Sequence, residues 1–349
     1  MRVLVTGHHG YIGCVLVPVL LDAGHEVVGL DTFLYEGCDF GDEPPDKVPT
    51  IRKDVRDVEP SDLEGTDAVL HLAALSNDPI GDLNPDCTYA INHRASVTLA
   101  EAAKRAGVSR FVFASSCSLY GAAGQDWLDE TAEFNPVTPY GESKVLSERD
   151  VSALADDDFS PVFLRNATAF GLSTRHRGDL VVNNLTAFAY ATGEVLMKSD
   201  GTPWRPLVHI EDISRAFLAA LEADRERVHN EAFNIGANEE NYQIRDIAQI
   251  VEEVVPDCRI AFAEGAAPDK RSYRVRFDKV KEQLPEFKPE WTVRRGVEEM
   301  YGAYRDAGLT IDDFSGSRFM RIARIKELQD EGRLDDSLRW KSGAPLPAS

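Results

Sequence analysis

The stretch VTGHHGYIGC, residues 5–14, sets three glycines, Gly7, Gly10 and Gly13, between an apolar run and a helical pattern. Gly7 would allow a tight turn, Gly10 would let a phosphate approach the backbone, and Gly13 would let the helix pack closely on the strand. The first N–H groups of the helix and its dipole would then favour an anionic ligand. A purely structural turn fits the same glycine spacing, so the rest of the chain has to decide between the two.

Apolar runs alternate with amphipathic segments through the first half of the chain. Strands that alternate with helices over short links indicate a doubly wound parallel sheet, the Rossmann type of α/β fold. From about residue 175 the pattern is less regular, which favours a smaller mixed α/β region at the C-terminal side. The predicted strands are Arg2–Thr6, Glu26–Leu30, Ala68–Leu72, Arg110–Ser115, Val162–Asn166 and Glu231–Ile235, and the predicted helices are Tyr11–Leu21, Ala95–Ala106 and Phe319–Leu328.

Composition narrows the possible partners. With 349 residues, 43% of them hydrophobic, the chain can bury the core of one large domain or of two coupled domains. Its formal net charge of −21 argues against nucleic acid, because phosphate binding needs dense Lys and Arg. Five scattered cysteines without C-x-x-C spacing predict no disulfide framework and no metal site, and they favour a reducing cytoplasm. No targeting segment is visible and no apolar run approaches about 18 residues, so we expect no membrane span.

An acidic residue follows the second predicted strand at the position that a dinucleotide site needs. Asp31 lies 18 residues after Gly13, where a carboxylate would accept both hydroxyls of an adenosine ribose. Its negative charge would repel a 2′-phosphate, so NAD is expected in preference to NADP. Asp31 could instead only cap a turn.

The stretch TPYGESK places Tyr140 and Lys144 four residues apart, on one face of a helix. An ammonium beside a phenol favours the phenolate and lowers the tyrosine pKa from its usual value of roughly 10. Such a phenolate can take a hydroxyl proton while hydride leaves the same carbon. Ser115 and Ser116 follow the strand FVFA at the edge of the sheet where ligands bind, and a hydroxyl there can hydrogen-bond the reacting oxygen. A solvated Tyr–Lys helix face and a serine cap are the structural alternatives.

Taken in order, these motifs resemble the extended short-chain dehydrogenase/reductase family, in its nucleotide-sugar epimerase and dehydratase branch. The resemblance covers roughly residues 1–300. It rests on GHHGYIG, Asp31, KDVRD, HLAA, Asn92 in AINHRAS, SSCSLYG, YGESK and PWRPLVHIEDI.

The resemblance implies a tightly held NAD and a nucleotide-diphosphate sugar as substrate. It implies an NAD-binding Rossmann domain at residues 1–165 and a mainly nucleotide-sugar-binding region at 166–311, some of whose segments return to the first domain. Residues 312–349, which we name the C-terminal extension, lie beyond the usual end of the family. They could cover the sugar pocket, add to a subunit contact or pack on the core.

Site residues follow from the resemblance by position. Ser116, Tyr140 and Lys144 match the catalytic Ser/Thr, Tyr and Lys of the family. Asp54 and Val55 would contact adenine, and Asn92 would support the cofactor. The implied cofactor-binding residues are Gly7, Gly10, Tyr11, Ile12, Gly13, Asp31, Asp54, Val55, Leu72, Ala73, Ala74, Asn92, Ser115, Tyr140 and Lys144, and the implied substrate-binding residues are Ser76, Ser118, Thr168, Asn184, Arg205 and Arg271.

Departures from the family pattern concern the reaction. The 4,6-dehydratases carry an Asp-Glu pair directly after the catalytic Thr, and decarboxylases of sugar acids have a Glu nearby. Here those positions hold Cys117 and Ser118, which cannot easily act as a carboxylate acid–base pair. Thr168 stands where the family usually has Asn. We interpret Cys117 as a small core thiol rather than a nucleophile.

What remains is reversible oxidation at one carbinol, and the sequence predicts an NAD-dependent nucleotide-sugar 4-epimerase that acts through a transient 4-keto sugar. A net C4 dehydrogenase or ketoreductase would use the same residues. A non-catalytic NAD-binding sensor is the distant alternative, against which the joint retention of Ser116, Tyr140 and Lys144 argues.

Family members are commonly homodimers that pair through two helices, one carrying the Tyr and Lys and the other corresponding to Ala95–Ala106. The Ala-rich face of the latter suits close packing. The sugar and the nucleobase are left open. Candidate determinants lie in the loops Ser76–Asp78 and Arg175–Arg177 and at Tyr242.

Overall fold

The computed structural model describes residues 1–41, 45, 47–76, 84–197, 199–262 and 272–341. Its strands are β1 (Arg2–Thr6), β2 (Glu26–Asp31), β3 (Thr50–Arg52), β4 (Ala68–His71), β5 (Arg110–Ser116), β6 (Ala122–Leu128), β7 (Ser160–Asn166), β8 (Thr168–Phe170), β9 (Glu194–Met197), β10 (Trp204–His209), β11 (Glu231–Ile235), β12 (Asn241–Gln243), β13 (Arg259–Phe262) and β14 (Ser272–Val275). Its α-helices are α1 (Gly13–Asp22), α2 (Pro85–Thr88), α3 (Ala95–Arg105), α4 (Pro139–Ser152), α5 (Val181–Thr192), α6 (Ile210–Glu222), α7 (Arg225–Val228), α8 (Ile244–Val254), α9 (Asp278–Gln283), α10 (Val293–Ala307), α11 (Ile311–Phe314) and α12 (Arg321–Asp330).

Seven of these strands form one sheet in the order β11-β7-β5-β4-β1-β2-β3. Every neighbouring pair in it is parallel. The chain runs outward from β1 to β3, returns to the other side of β1, and continues from β4 to β11. In such sheets ligands bind beside the carboxyl ends of the strands, where the order reverses. Here that point lies between β1 and β4, and the predicted Rossmann-type fold is confirmed.

The central strands are apolar on both faces because helices cover both sides of the sheet. All four residues of β4 are buried. Along β1, Val3 and Val5 belong to one core cluster, which includes residues of α1 and α6, and Leu4 belongs to the other, which includes residues of α3 and α4. Successive side chains of a strand point to opposite faces, so one short apolar run supplies both cores.

Element bounds agree closely with the sequence pattern where an element is long and apolar. Strands β1 and β11 have the predicted ends, whereas α1 begins at Gly13 rather than Tyr11, because the preceding residues form the glycine turn. The edge strand β3 and the π-helical turn Tyr89–Arg94 were not predicted. Both are too short to show a hydrophobic period.

The Ala-rich face of α3 does not face outward. Ala95, Ala100, Ala102 and Ala103 are buried in the core cluster beneath the sheet. The predicted use of this face for pairing with a second subunit is therefore wrong, because these small side chains pack closely within their own domain.

The second region is built around one core from two small sheets, β12-β10-β8 and β13-β9, with the helices α5, α8 and α10, whereas the third small sheet, β14-β6, packs against a core cluster of the large sheet. In the first sheet, β10 pairs in parallel with β8 and antiparallel with β12. Strand β11 then joins the large sheet beside β7, so the chain returns to the first domain after β10. This exchange holds the two regions together on either side of a cleft.

The described part of the C-terminal extension packs on both regions. Phe314 and Phe319 are buried in the core of the second region, whereas Ile325 and Leu338 belong to a core cluster of the large sheet. The predicted helix appears as α12, shifted by two residues at each end. Within the part of the chain that the structure describes, no helix combines the length and the apolar character needed to cross a bilayer.

Candidate active site

A cavity of about 830 Å³ lies at the carboxyl ends of β1 and β4. The glycine turn, the loops after β2, β4 and β5, and the start of α4 form one wall, and residues of β8, α5 and β10 form the other. It brings together nearly all the residues predicted from the sequence. Those on its walls are Gly7, Gly10, Tyr11, Ile12, Gly13, Asp31, Asp54, Val55, Leu72, Ala73, Ala74, Ser76, Ser115, Ser116, Ser118, Tyr140, Lys144, Thr168, Asn184 and Arg205.

The glycine turn admits no side chain at two of its three glycines. Gly7 has a left-handed φ of 72°, and a Cβ there would lie 2.8 Å from the backbone nitrogen of Ala73. At Gly13, a Cβ would lie 2.4 Å from the carbonyl oxygens of Gly7 and His8. Hence the turn itself, rather than the predicted contact between helix and strand, excludes a side chain at Gly13.

The first turn of α1 is arranged to meet an anion. The helix begins without a side-chain cap, and its first N–H groups lie at the positive end of the helix dipole. Gly10, Tyr11, Ile12 and Gly13 all line the cavity. Uncapped N–H groups on the cavity wall, beside a turn made of glycines, fit the diphosphate of a dinucleotide.

Asp31 caps a turn and also lines the cavity, so the two alternatives weighed for it are compatible. One carboxylate oxygen accepts from the N–H of Phe33 at 2.7 Å, and the other accepts from the N–H of His9 at 3.1 Å. Phe33 has a left-handed φ of 60°. Each oxygen keeps a further lone pair, so the carboxylate can hold the glycine turn and accept from a ribose as well.

Asp54 and Val55 lie beside Asp31 on the cavity wall, at what we name the adenosine end. Asp54 accepts from Nε of Arg56 at 2.9 Å and from the Arg56 backbone N–H at 2.9 Å. Burial would raise the pKa of Asp54, but these hydrogen bonds lower it below its usual range. The Asp54 side chain at the cavity wall is therefore ionised and held in one position.

Tyr140 and Lys144 occupy the first two turns of α4. Thr138 caps the helix by accepting from the N–H of Gly141 at 3.2 Å, and Pro139 begins it. The ammonium nitrogen of Lys144 lies 5.7 Å from the centre of the Tyr140 ring and donates to the carbonyl oxygen of Ala114 at 2.6 Å. That carbonyl holds the lysine at the end of β5, next to the phenol.

Lys144 is a buried cation, with a side chain only 3% exposed. Burial lowers its pKa to about 7, although the charge of Glu148 one turn later raises it. A lysine with this pKa changes its charge near neutral pH, which is typical of groups at reactive sites.

Ser116 both caps a 3₁₀ turn and faces the cavity. Its oxygen accepts from the N–H of Ser118 at 3.2 Å and from the Ser118 hydroxyl at 2.9 Å. Its own hydrogen is therefore directed to another acceptor, such as a substrate oxygen. The neighbouring Ser115 donates to a Glu148 carboxylate oxygen at 2.5 Å and so links the wall to the ion pair between Glu148 and Arg165.

The opposite wall carries three of the predicted substrate-binding residues. Thr168 lies on β8 and Arg205 on β10, where Arg205 donates to the carbonyl of Trp204 at 2.8 Å. Asn184 on α5 donates to the carbonyl of Gly178 at 2.8 Å. Arg271 and Asp78 fall outside the described residues.

Other predicted residues do not reach the cavity. The buried Asn92 side chain accepts a hydrogen bond from the N–H of Leu75 and donates one to the carbonyl of Leu75. It therefore positions the loop after β4. The Cys117 thiol lies in the core and contacts the carbonyl of Arg165. Buried His176, with its pKa lowered to about 3 by burial, lies 2.7 Å from the Tyr304 hydroxyl.

Two more corrections concern the loops expected to select the sugar. Arg175 forms an ion pair with Asp39, and the hydroxyl of Tyr242 donates to Glu240, so neither side chain lines the cavity. The partner of Arg175 is far away along the chain, so local sequence does not reveal it, whereas the partner of Tyr242 lies two residues earlier.

Arg177, one of the candidate sugar determinants, does line the cavity. It pairs with Asp179 through Nε and Nη2 and donates to Ser76. Sequence reasoning missed other cavity residues. Arg321 and Leu338 of the C-terminal extension also line the cavity, and no local pattern points to them.

The fold and this site define a nucleotide-binding enzyme of the Rossmann type. Residues 3–236 match the model of the NAD dependent epimerase/dehydratase family. The chain is 30% identical to UDP-glucuronic acid decarboxylase 1 of Arabidopsis thaliana over 327 residues, covering 90% of this chain and 72% of that protein. It is 28% identical to a UDP-glucose 4-epimerase of Bacillus subtilis, covering 86% and 94%.

A solved structure, MoeE5 in complex with UDP-glucuronic acid and NAD, superposes with a TM-score of 0.76 at 28% identity, over 88% of this chain and all of that one. The chain therefore belongs to the NAD-dependent epimerase/dehydratase family, the extended branch of the short-chain dehydrogenases/reductases. It is an NAD-dependent enzyme of nucleotide-sugar chemistry, as the sequence predicted.

Proposed function

We propose that the protein is a nucleotide-sugar 4-epimerase that acts through a transient 4-keto sugar. The observation that carries this proposal is the composition of the cavity wall around Tyr140. Ser116 and Lys144 share that wall, and the described acidic residues that line the cavity are Asp31, Asp54 and Asp179. Asp54 and Asp179 are paired with arginines and Asp31 with backbone N–H groups. Proton removal from C5 and loss of the 6-hydroxyl need a free carboxylate at the sugar, so C4 redox chemistry is favoured.

In this proposal, each side chain acts on one oxygen of the sugar. Tyr140 takes the proton of the 4-hydroxyl, aided by the Lys144 ammonium and by the positive end of α4. Ser116 donates a hydrogen bond to the same oxygen and stabilises the charge that builds on it. Bound NAD supplies a reversible hydride acceptor. The 4-keto sugar then turns within the cavity, and Tyr140 returns the proton after hydride reaches the opposite face.

A net C4 dehydrogenase or ketoreductase remains the alternative, since it needs the same three side chains. The presence of UDP-glucose 4-epimerases among the relatives supports the epimerase. The relative from Arabidopsis is named a decarboxylase, so release of carbon dioxide from a uronic acid must be tested as well.

The experiment incubates purified enzyme, without added coenzyme, with UDP-glucose, UDP-glucuronic acid and matching dTDP- and GDP-sugars. NMR should show interconversion of one pair of C4 epimers. A substrate deuterated at C4 should keep its label in the product, because the abstracted hydride returns to the same carbon. Tyr140→Phe serves as the control and should abolish turnover while leaving NAD bound.

Three results would count against a 4-epimerase. Stoichiometric NADH without an epimer indicates the net oxidoreductase. Carbon dioxide from UDP-glucuronic acid indicates a decarboxylase. Deuterium gained from D₂O at C5 indicates carbanion chemistry of the dehydratase kind.

We also propose a homodimer and a cytoplasmic location. The first follows from the usual pairing of family members through the helices that correspond to α3 and α4, now by faces other than the Ala-rich one. The second follows from the five free cysteines. Light scattering after gel filtration at micromolar concentration tests the subunit count.

A further inference from the structure

Arg321 is a buried cation on the cavity wall with an incomplete set of partners. It begins α12, and its side chain is only 5% exposed. The guanidinium lies 3.9 Å from the centre of the Tyr35 ring, and Nη2 donates to the carbonyl of Arg175 at 2.8 Å. Among the described residues no carboxylate comes within ion-pair distance, and Nε and Nη1 have no protein acceptor.

The surroundings leave this charge uncompensated. The nearest arginine, Arg177, already occupies both oxygens of Asp179. Burial lowers the pKa of Arg321, and although Tyr35 and Asp179 raise it against the effect of Arg177, they do not offset the cost of burial. A buried cation without an anionic partner lowers the stability of the folded protein unless a bound anion compensates its charge.

Arg321 lines the cavity in which an anion is expected. The side chain lines the same cavity as the glycine turn and the uncapped start of α1. Burial raises the pKa of Cys14, in the first turn of α1, to about 12, and Arg321 is one of the cations that oppose this rise. The positive charge of Arg321 therefore acts on the first turn of α1, whose N-terminus favours an anion.

The end of the C-terminal extension closes over the neighbouring adenosine end. Nε1 of Trp340 donates to the carbonyl of Thr32, directly after Asp31, at 2.7 Å. Nη1 of Arg56 donates to the carbonyl of Ser337 at 2.7 Å. Between these anchors Leu338 lines the cavity.

Backbone strain is concentrated at the same place. Leu338 has a left-handed φ of 58°, as does Phe33 at 60° on the opposite side of the adenosine end. A bulky residue adopts this conformation only where its surroundings impose it. The extension is thus held in a specific position against the cavity.

We propose that the C-terminal extension is part of the cofactor site, with Arg321 as the counter-charge to the NAD diphosphate and Leu338 as a cover over the adenosine. The guanidinium adds a charged donor to the N–H groups of α1 at the diphosphate. The extension then slows the release of NAD, which lets one cofactor serve many turnovers. This inference rests on NAD as the cofactor and not on which sugar reaction follows.

The test measures how long purified enzyme keeps its NAD. Full-length wild type, Arg321→Met and Arg321→Lys are compared with Arg324→Met, a matched control one turn along α12 whose side chain pairs with Glu327 and does not line the cavity. NAD content is measured after heat release, and exchange against isotopically labelled NAD is followed by mass spectrometry. Loss of a hydrogen-bonded charge should speed NAD dissociation about 10- to 100-fold in Arg321→Met. Arg321→Lys should lie between it and wild type, and Arg324→Met should behave as wild type.

A second readout separates this role from a merely structural one. Without NAD, Arg321→Met should unfold at the same or higher urea concentration than wild type, because an uncompensated buried charge has been removed. NAD retention equal to that of Arg324→Met would overturn the proposal. So would loss of NAD that is matched by an equal loss of stability in the NAD-free protein.

The diphosphate of the sugar nucleotide is the other anion that could reach Arg321. The holoenzyme is therefore tested with UDP, dTDP, GDP and ADP by thermal shift. Unchanged shifts in Arg321→Met, together with fast NAD release, are expected. Reduced shifts with normal NAD retention would assign the residue to the substrate instead and overturn the assignment to NAD.

Discussion

Buried charges in this protein fall into two regions that differ in how fully they are paired. In a sealed cluster, Arg165 donates to both oxygens of Glu148 and to the Tyr120 hydroxyl. On the cavity wall, Lys144 donates to one carbonyl, and Arg321 has no carboxylate partner among the residues described. Glu148 and Lys144 are only one turn apart on α4, yet they belong to different regions.

The pKa directions follow this difference. Burial lowers the pKa of Arg165, but the ion pair with Glu148 more than reverses this and raises it above its ordinary value. Burial lowers the pKa of Lys144 to about 7 and also lowers the pKa of Arg321. A buried charged side chain that is fully ion-paired and hydrogen-bonded stabilises the fold. A charged side chain on the cavity wall that lacks such partners is instead stabilised by a bound ligand or takes part in the reaction.

Replacing Lys144 should produce the largest change and should separate activity from stability. Lys144→Met removes the ammonium beside Tyr140, so we expect kcat/KM to fall roughly 10³- to 10⁴-fold. In the NAD-free protein the same change should raise the free energy of unfolding by about 2 kcal/mol at pH 6, because a buried charge is lost. Steady-state kinetics and urea denaturation measure the two effects.

The gain in stability should depend on pH. The folded pKa of Lys144 is about 7, below the unfolded value of roughly 10.4. Between these values the unfolded chain binds the extra proton, so this group makes wild type more stable as the pH rises from 7 to 10. The advantage of Lys144→Met should therefore shrink over that range, and an advantage independent of pH would refute this explanation.

Breaking the sealed cluster should give the next largest effect, now on stability. Arg165→Met leaves Glu148 buried without its cation, which should cost about 3–5 kcal/mol of unfolding free energy. Adding Glu148→Leu to it removes the stranded carboxylate and should recover part of that loss. If the single variant lost less than about 1 kcal/mol, the cluster would not be a structural unit, and the comparison with the cavity wall would fail.

The smallest expected effect concerns a paired carboxylate on the cavity wall. Asp31→Asn keeps one acceptor for the backbone but removes the negative charge that faces the ribose. We expect the preference for NAD over NADP to fall about tenfold, measured as the ratio of dissociation constants. Asp54→Asn is the matched control at the adenosine end, since the charge of Asp54 is directed to Arg56, and its ratio should stay near that of wild type.

Local pattern was sufficient for the large sheet and for the core of the site. The glycine turn, Asp31 and the Tyr140–Lys144 pair are each defined by spacing within a few residues, and they all reach the cavity. The same reasoning failed for the Ala-rich face of α3, because a face of small apolar residues suits an internal core and a subunit contact equally well. It also failed for Arg175 and His176, whose partners Asp39 and Tyr304 come from distant parts of the chain.

The sequence by itself determined the order of strands and helices, the position of the nucleotide turn and the choice of the side chains that we propose to react, since hydrophobic period and residue spacing are properties of adjacent residues. Only the tertiary structure decided which charged side chains have ion-pair and hydrogen-bond partners. The pKa of Lys144 depends on how deeply α4 is buried against β5, and Arg321 lines the same cavity as the glycine turn from more than 300 residues away along the chain. Desolvation and ion pairing depend on what surrounds a group in space, and that neighbourhood exists only after folding.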